Sequence, residues 1–226
     1  MTFQILAGLA LGAFHVFSGP DHLAAVAPLS LQRGRGRAWE VGLRWGLGHS
    51  SGVLLVGVLA MFLRDLLPLQ AISSHAERLV GVVLIGIGLW GIRKALTYHL
   101  HIHPHTHDGQ DHVHLHVHGA QSAHPQSKPN PHRHTHTAFA VGILHGLAGG
   151  SHFLGVLPAL AFPNKWQTAA YLLAFACGTI AAMTSFSTIL GLLARGCIHT
   201  GHQLYRNLML ACSSAAILVG TYWLIG

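Results

Sequence analysis

The chain contains six stretches of predominantly apolar residues, each long enough to cross a lipid bilayer, which takes about 20 such residues. They lie at 3–29, 39–63, 77–97, 138–162, 167–194 and 204–225. Only 8% of the 226 residues are charged, against about 25% in an average soluble domain. This composition argues against a soluble globular fold. We predict an all-α membrane protein with six transmembrane helices.

Lysine and arginine are distributed unevenly between the loops, and in membrane proteins they accumulate on the cytoplasmic side. The first, third and fifth loops together contain nine, namely Arg33, Arg35, Arg37, Arg93, Lys94, Lys128, Arg133, Arg195 and Arg206. The second and fourth loops contain three, namely Arg64, Arg78 and Lys165. We therefore predict a protein of the bacterial cytoplasmic membrane with both termini outside. Because Met1 to Gln4 carry no charged side chain, we expect the first span to be retained and not cleaved as a secretory signal.

The two halves of the chain resemble each other. At a displacement of 130 residues, GAFHVFSGPDHLAAVAPLS from Gly12 aligns without a gap with GILHGLAGGSHFLGVLPAL from Gly142. The alignment pairs His15 with His145, His22 with His152, Gly19 with Gly149, Pro28 with Pro158 and Gly48 with Gly178. Three spans per half force the halves to cross the membrane in opposite directions, as in many secondary transporters. We predict a 3+3 inverted repeat, with its first and fourth helices interrupted at Gly19-Pro20 and Gly149-Gly150.

Five histidines and one aspartate lie within these apolar spans, where polar side chains are costly and mark functional sites. The six candidate metal ligands are His15, Asp21, His22, His49, His145 and His152. Imidazole suits nickel, cobalt, copper and zinc, and a carboxylate adds negative charge. Seven residues separate His15 from His22, so a continuous helix would place both on one face. A single histidine is often held by backbone hydrogen bonds for packing alone, but six such residues together favour a metal path.

Three residues near these ligands leave alternatives open. Arg44 either pairs with Asp21 or extends to the membrane interface without touching the site. Ser151 takes the place of Asp21 in the second repeat and is a candidate weak oxygen ligand. Cys177 is interpreted as a small packing residue in preference to a thiolate ligand.

A histidine-rich segment separates the third and fourth spans and divides the chain into 1–97, a loop at 98–137, and 138–226. It holds 13 of the 21 histidines, and we predict a disordered cytoplasmic loop. Alternate residues of an extended chain project to one side, and histidine tracts of this density indicate metal capture. The residues that we expect to capture metal are His99, His101, His103, His105, His107, His112, His114, His116, His118, His132, His134 and His136. A solvated polar linker is the alternative interpretation.

The segments HVFSGPDHLAAVAPLS and RWGLGHSSG resemble the signature of the nickel/cobalt transporter superfamily, which includes nickel permeases and nickel/cobalt efflux proteins. The resemblance is clearest over the first 55 residues. It implies that His15, Asp21, His22 and His49 form the metal site and that Ni²⁺ or Co²⁺ is the transported substrate. Five residues lie between His15 and Asp21 where the nickel permeases usually have four, so the choice of metal stays open.

The sequence therefore predicts a transporter of a divalent transition metal and not an enzyme, with Ni²⁺ first and Co²⁺ second. No phosphate-binding loop of the G-x-x-x-x-G-K-[ST] type occurs, and no organic cofactor or nucleic acid is expected. Membrane lipid and the metal ion are the expected partners, and a cytoplasmic metallochaperone is a further candidate. The alternatives are an intramembrane metalloenzyme, although the spans contain no H-x-x-H-H cluster, and a metal sensor or chaperone without transport.

Overall fold

The computed structural model describes residues 1–33, 36–63, 69–97, 99–107, 110–118, 135–148, 158–159, 162–200 and 202–225. These residues form seven helices of 13 or more residues and one β-hairpin. The helices are α1 (Thr2–Ser18), α2 (Pro20–Arg33), α3 (Ala38–Leu63), α4 (Leu69–Thr97), α5 (Thr135–Leu147), α6 (Lys165–Thr200) and α7 (His202–Ile225). The strands are β1 (His99–His107) and β2 (Gln110–His118). The predicted interruption at Gly149-Gly150 lies outside the described residues.

The first predicted span is broken in two. The Gly19 N–H donates to the carbonyls of His15 and Val16 and so closes α1. Pro20 then begins α2, where its missing N–H and fixed φ suit the first helical position. The axes of α1 and α2 differ by 75°.

Both halves of this broken span follow α6 in one direction. Gly8 of α1 approaches the backbone of Tyr171, near the beginning of α6. Ser30 of α2 shares a hydrogen bond of 2.6 Å with Ser187, further along α6. Because residue numbers rise together on both sides, α1 and then α2 follow α6 in the same sense, with the 75° bend between them.

Close approaches between α1 and α6 are repeated between α5 and α3. At four glycines, an added methyl group would meet a backbone carbonyl of the facing helix: Gly12 at Phe175, Gly142 at Trp45, Gly48 at Phe139 and Gly178 at Leu9. These contacts form two equivalent pairs at the displacement of 130 residues. Gly12 against Phe175 corresponds to Gly142 against Trp45, and Gly48 against Phe139 corresponds to Gly178 against Leu9. The two halves thus pack on each other through equivalent surfaces.

The central helices run antiparallel. Gly42 of α3 lies against Met183 of α6, and Gly46 lies against the earlier residue Ile180. Likewise, Gly81 of α4 lies against Gly220 of α7. Gly48 and Gly52 of α3 lie against Phe139 and Ile143 of α5 in rising order, so α5 runs with α3, and α1 and α5 point in opposite directions.

Large apolar side chains are exposed on the outside of the helical assembly, and polar side chains such as His22, His49 and Ser187 are buried among apolar ones inside it. Side chains such as Phe3, Phe14, Leu218 and Tyr222 are exposed. Among the described residues, three helical segments are long and apolar enough to cross a membrane: Ser74–Thr97, Lys165–Cys197 and Gln203–Ile225. The bent pair α1 and α2 qualifies as a fourth if it forms one span. An apolar outer surface is what lipid contact requires.

Strands β1 and β2 pair antiparallel within the segment for which the sequence analysis predicts a disordered loop. The difference has a local cause, because histidine alternates with Leu100 and Ile102 in one strand and with Val113, Leu115 and Val117 in the other. Such alternation with branched residues favours extended chain. The pair Asp108-Gly109, which favours two-residue hairpin turns, separates the strands in the sequence. Helix α5 begins at Thr135, within the predicted loop, so His136 belongs to its first turn.

Candidate metal centre

Three histidines meet where the first span is broken. His15 lies in the last turn of α1, His22 follows the beginning of α2, and His49 lies on α3. One ring nitrogen of each lies within 4.8 Å of the corresponding nitrogen of the other two. The ring centroids are 4.7 Å apart for His15 and His22, 5.0 Å for His22 and His49 and 5.6 Å for His15 and His49.

This spacing suits a small cation after a modest adjustment. Imidazole nitrogens bind a divalent transition metal at about 2.1 Å, so two ligand atoms on one ion lie at most about 4.2 Å apart. Three ligand atoms on one ion lie about 3.4–3.6 Å from one another, so the three rings would have to close by up to about 1.4 Å, which side-chain rotation supplies. His22 and His49 are buried, whereas His15 is partly exposed. The cluster thus has one accessible ligand and two interior ones.

Asp21 adds a carboxylate at the beginning of α2, where negative charge is favoured by the helix dipole. Its Oδ1 lies 3.6 Å from Nδ1 of His22, and Asp21 is buried. Within the described part of the chain, no salt bridge joins Arg44 to Asp21, and Asp21 instead contacts the neighbouring imidazole. The carboxylate therefore lies close enough to orient His22 or to bind a cation beside it.

The His22 ring occupies space that only glycine at position 19 leaves free. A methyl group at Gly19 would lie 2.6 Å from Cε1 of His22 and 3.0 Å from Oδ1 of Asp21. The backbone of Gly19, with φ −95° and ψ 98°, is one that any residue adopts. Glycine is required here for the side chain of His22 and not for the backbone.

Of the two second-repeat histidines, the structure brings His145 towards the cluster. Its ring centroid lies 6.0 Å from that of His22. Nδ1 of His145 donates to the Val141 carbonyl at 3.0 Å, and because a carbonyl only accepts, Nε2 is the nitrogen available for a ligand. His152 and Ser151 lie outside the described residues.

Trp45 is the site residue that the sequence analysis does not identify. Its indole stacks on His49 with centroids 4.8 Å apart and an interplanar angle of 8°. It also meets His22 edge-on at 5.3 Å and His145 at 5.4 Å. A signal is present in the sequence, because Trp45 precedes His49 by four residues and so shares its helix face. Cys177 is exposed and does not belong to the histidine cluster.

A cleft of about 640 Å³ leads to the cluster. Its lining includes His15, Asp21 and His22, together with Tyr222 and Trp223 of α7. A second cavity, of about 20 Å³, borders His49 and Ser50, and it is large enough for about one water molecule. His15, Asp21 and His22 thus line the cleft, whereas His49 borders the small cavity.

The histidines of the hairpin are paired in register. Opposed positions are His99 with His118, His101 with His116, His103 with His114 and His105 with His112, while His107 opposes Gln110. Successive strand residues alternate between faces, so these nine positions fall on one face of the hairpin. His132 and His134 lie outside the described residues, and His136 is exposed on α5. Metal capture by these residues stays a prediction.

Residues 4–222 match the family described as the cytochrome C biogenesis protein transmembrane region. The chain belongs to this family. With three helical segments long and apolar enough to cross a membrane among the described residues, this member is a helical integral membrane protein.

Three curated relatives extend the comparison. The chain is 33% identical over 213 residues to Chloroplast protein FOR GROWTH AND FERTILITY 2 of Arabidopsis thaliana and 32% identical over 184 residues to FOR GROWTH AND FERTILITY 1 of the same plant. These alignments cover 94% and 81% of the chain but 54% and 48% of the plant proteins, so the chain spans about half their length. It is 30% identical over 186 residues to the urease accessory protein UreH of Bacillus sp. (strain TB-90), covering 82% of the chain and 75% of UreH. No solved structure matches the chain.

Proposed function

We propose that this protein transports a divalent transition metal across the membrane, with Ni²⁺ as the first candidate substrate and Co²⁺ as the second. The observation that carries this proposal is the cluster of His15, His22 and His49 within a helical membrane protein, in which His15 and His22 line a cleft. Buried histidines with convergent nitrogens are costly unless they bind an ion or move a proton. Asp21 would offset part of the positive charge of the bound ion.

The relatives and the sequence resemblance favour nickel within this class. UreH is a urease accessory protein by name, and the HVFSGPDH and RWGLGHSSG segments resemble nickel/cobalt transporters. The three-histidine donor set is compatible with both metals. Nickel is therefore the first ion to assay.

The reciprocal packing of the two halves supports a six-span, 3+3 inverted repeat. In this arrangement α1 with α2, α3 and α4 form the first repeat, and α5 with the segment after it, α6 and α7 form the second. Transporters of this plan bind substrate where interrupted helices meet near the membrane midplane. Rocking of one repeat against the other would open the cluster alternately to each side.

An assay of metal flux tests the proposal against its alternatives. Purified protein in liposomes that enclose a Ni²⁺-sensitive dye should give saturable dye quenching after external Ni²⁺ is added, and protein-free liposomes should not. Metal binding without flux would contradict transport and favour a sensor or chaperone. Absence of flux together with metal-dependent oxidation of a lipid substrate would favour the metalloenzyme. No enzymatic activity is part of the proposal.

The orientation follows from the nine basic residues in alternate loops and gives a direct prediction. In a background with the three native cysteines replaced by serine, a thiol introduced by Thr2→Cys should react with a membrane-impermeant reagent in intact cells. A thiol introduced by Ala120→Cys should react only after the membrane is permeabilised. The opposite pattern would place the termini in the cytoplasm and the histidine-rich segment outside.

We also propose that the hairpin captures metal for the transport path and is not part of it. Opposed positions of an antiparallel pair lie about 4.5–5.5 Å apart, a distance at which two imidazoles can share one ion. Exchanging the nine hairpin histidines for glutamine should lower the number of ions bound per protein while saturable Ni²⁺ flux persists. Replacing residues 99–134 with a short Gly-Ser linker provides the matched deletion. Loss of flux in both well-expressed variants would show that the segment belongs to the path.

A further inference from the structure

Trp45 of α3 packs beside all three of the buried histidines that the structure describes at the site. His22, His49 and His145 are 2%, 1% and 1% exposed, and Trp45 is 0% exposed. The indole centroid lies 5.3 Å from the ring of His22, 4.8 Å from that of His49 and 5.4 Å from that of His145. One aromatic side chain therefore contacts each interior imidazole.

The orientation of an imidazole ring decides where it can bind an ion, because the lone pair of the ligating nitrogen lies in the ring plane. The last torsion of a histidine side chain has only broad preferences, so contacts with neighbouring groups select the ring plane. At His145 a hydrogen bond does so, since Nδ1 donates to the Val141 carbonyl at 3.0 Å. Metal-binding histidines generally depend on such neighbours for their orientation.

The flat face of the indole constrains the ring of His49. This ring lies one helical turn further along α3 and stacks on the indole at an interplanar angle of 8°. Rotation of the His49 ring about its last torsion would drive its edge into the indole face. The ring of His22 packs against this stacked pair, at 85° to the indole and 88° to His49.

The indole is itself placed by a close contact between the two halves of the chain. A methyl group added at Gly142 of α5 would overlap the backbone carbonyl of Trp45, so α3 and α5 are in close contact at this residue. An indole offers one N–H donor and no acceptor atom. Trp45 therefore acts on the site through the rings that it touches and not as a ligand.

We propose that Trp45 is a positioning residue of the metal site, whose indole holds the rings of His49 and His22 in the planes in which their nitrogens converge with that of His15. This inference rests on the proposed function, because it requires that the cluster binds the transported ion. The feature required at position 45 is a flat ring. An aliphatic side chain can fill part of the same space but does not fix the plane of a neighbouring imidazole.

Metal affinity and the visible spectrum of bound Co²⁺ test this role on the purified protein. Trp45→Leu should weaken Ni²⁺ binding by at least about tenfold in calorimetric titration, the lower end of the usual cost of losing a group that orients a metal ligand. It should also shift the Co²⁺ absorption bands, which depend on the number and geometry of the ligands. Trp45→Phe, which keeps a flat ring, should restore both the affinity and the spectrum.

Met209→Ala is the matched control for the loss of a buried side chain. Met209 is 1% exposed and belongs to a hydrophobic cluster separate from the one that contains Trp45. This control should lower the temperature of thermal unfolding but leave Ni²⁺ affinity and the Co²⁺ spectrum unchanged. Trp45→Met replaces Trp45→Leu if the leucine variant does not fold, since methionine fills irregular space without presenting a flat ring. Wild-type affinity and spectrum in the folded variant would overturn the proposal, and so would failure of Trp45→Phe to restore them.

Flux measurements separate failure of this role from failure of the proposed function. If the wild type gives saturable Ni²⁺ flux and Trp45→Leu keeps wild-type affinity and spectrum, the positioning role is refuted and transport stands. If the wild type binds Ni²⁺ without flux, transport is refuted, and the differences in affinity and spectrum still decide the role of Trp45. If the wild type binds neither Ni²⁺ nor Co²⁺, the cluster is not a metal site and both proposals are refuted.

Discussion

Replacing His22 with alanine is expected to lower Ni²⁺ flux by at least about tenfold, because the variant loses a ligand at the centre of the cluster. His22 lies beside each of the other three histidines that the structure describes at the site. Its ring lies 4.7 Å from His15, 5.0 Å from His49 and 6.0 Å from His145. His22 both lines the cleft and lies beside His49, so its removal takes away a metal donor that is next to both.

The measurement is initial flux into dye-loaded liposomes at matched protein content, with metal binding measured on the same preparation. His75→Ala is the matched control, since His75 is exposed on α4 and does not belong to the cluster. The control should retain wild-type flux and binding. Wild-type flux in a folded His22→Ala protein would show that the metal path does not include His22.

Replacing Gly19 with alanine is expected to weaken metal binding by about 10- to 100-fold, the usual cost of disturbing a group that orients a metal ligand. The added methyl group would overlap the His22 ring and approach Asp21 within 3.0 Å, so the imidazole would have to leave its place. Because the backbone at Gly19 is accessible to alanine, the helix break itself should persist. The variant therefore keeps the His22 imidazole but displaces it, so it tests whether the position of this ligand matters.

Gly86→Ala is the matched control for this change. A methyl group at Gly86 of α4 would meet no atom within 4 Å, and alanine favours the helix over glycine by about 1 kcal/mol. Calorimetric titration of Ni²⁺ should show a large loss of affinity for Gly19→Ala and none for Gly86→Ala, with similar thermal unfolding of both proteins. Unchanged affinity in Gly19→Ala would mean that the ring of His22 does not have to lie where the structure places it.

Helix positions are the part of the fold that the sequence predicts best. The apolar run at 39–63 corresponds to α3 at Ala38–Leu63, and the run at 204–225 corresponds to α7 at His202–Ile225. Long apolar runs define membrane helices because a helix satisfies its backbone hydrogen bonds within its own segment, which lipid cannot do. The hairpin is not predicted, since a composition dominated by histidine indicates disorder before its two-residue periodicity is considered.

The sequence predicts that His15 and His22 share one face of a continuous helix, but the structure brings them together at a helix break. Seven residues along a continuous helix would separate their Cα atoms by about 10.5 Å, although both would lie on one face. The helix instead ends at Ser18, and the 75° bend at Gly19 brings the two rings to 4.7 Å. The interruption was anticipated from Gly19 and Pro20, but its angle depends on how α1 and α2 pack along α6.

The sequence by itself determined the class of protein and pointed to histidines within its apolar runs, because apolar run length and histidine content are properties of local composition. It also placed the helix break, since glycine followed by proline ends one helix and begins another. Only the tertiary structure decided which histidines meet, because His49 and His145 reach the cluster through contacts between distant segments, made close by glycines such as Gly142 against Trp45. The indole of Trp45 came to lie beside the histidines for the same reason. Helix packing, which depends on the shapes of surfaces far apart in the chain, brought its ring against His22, His49 and His145.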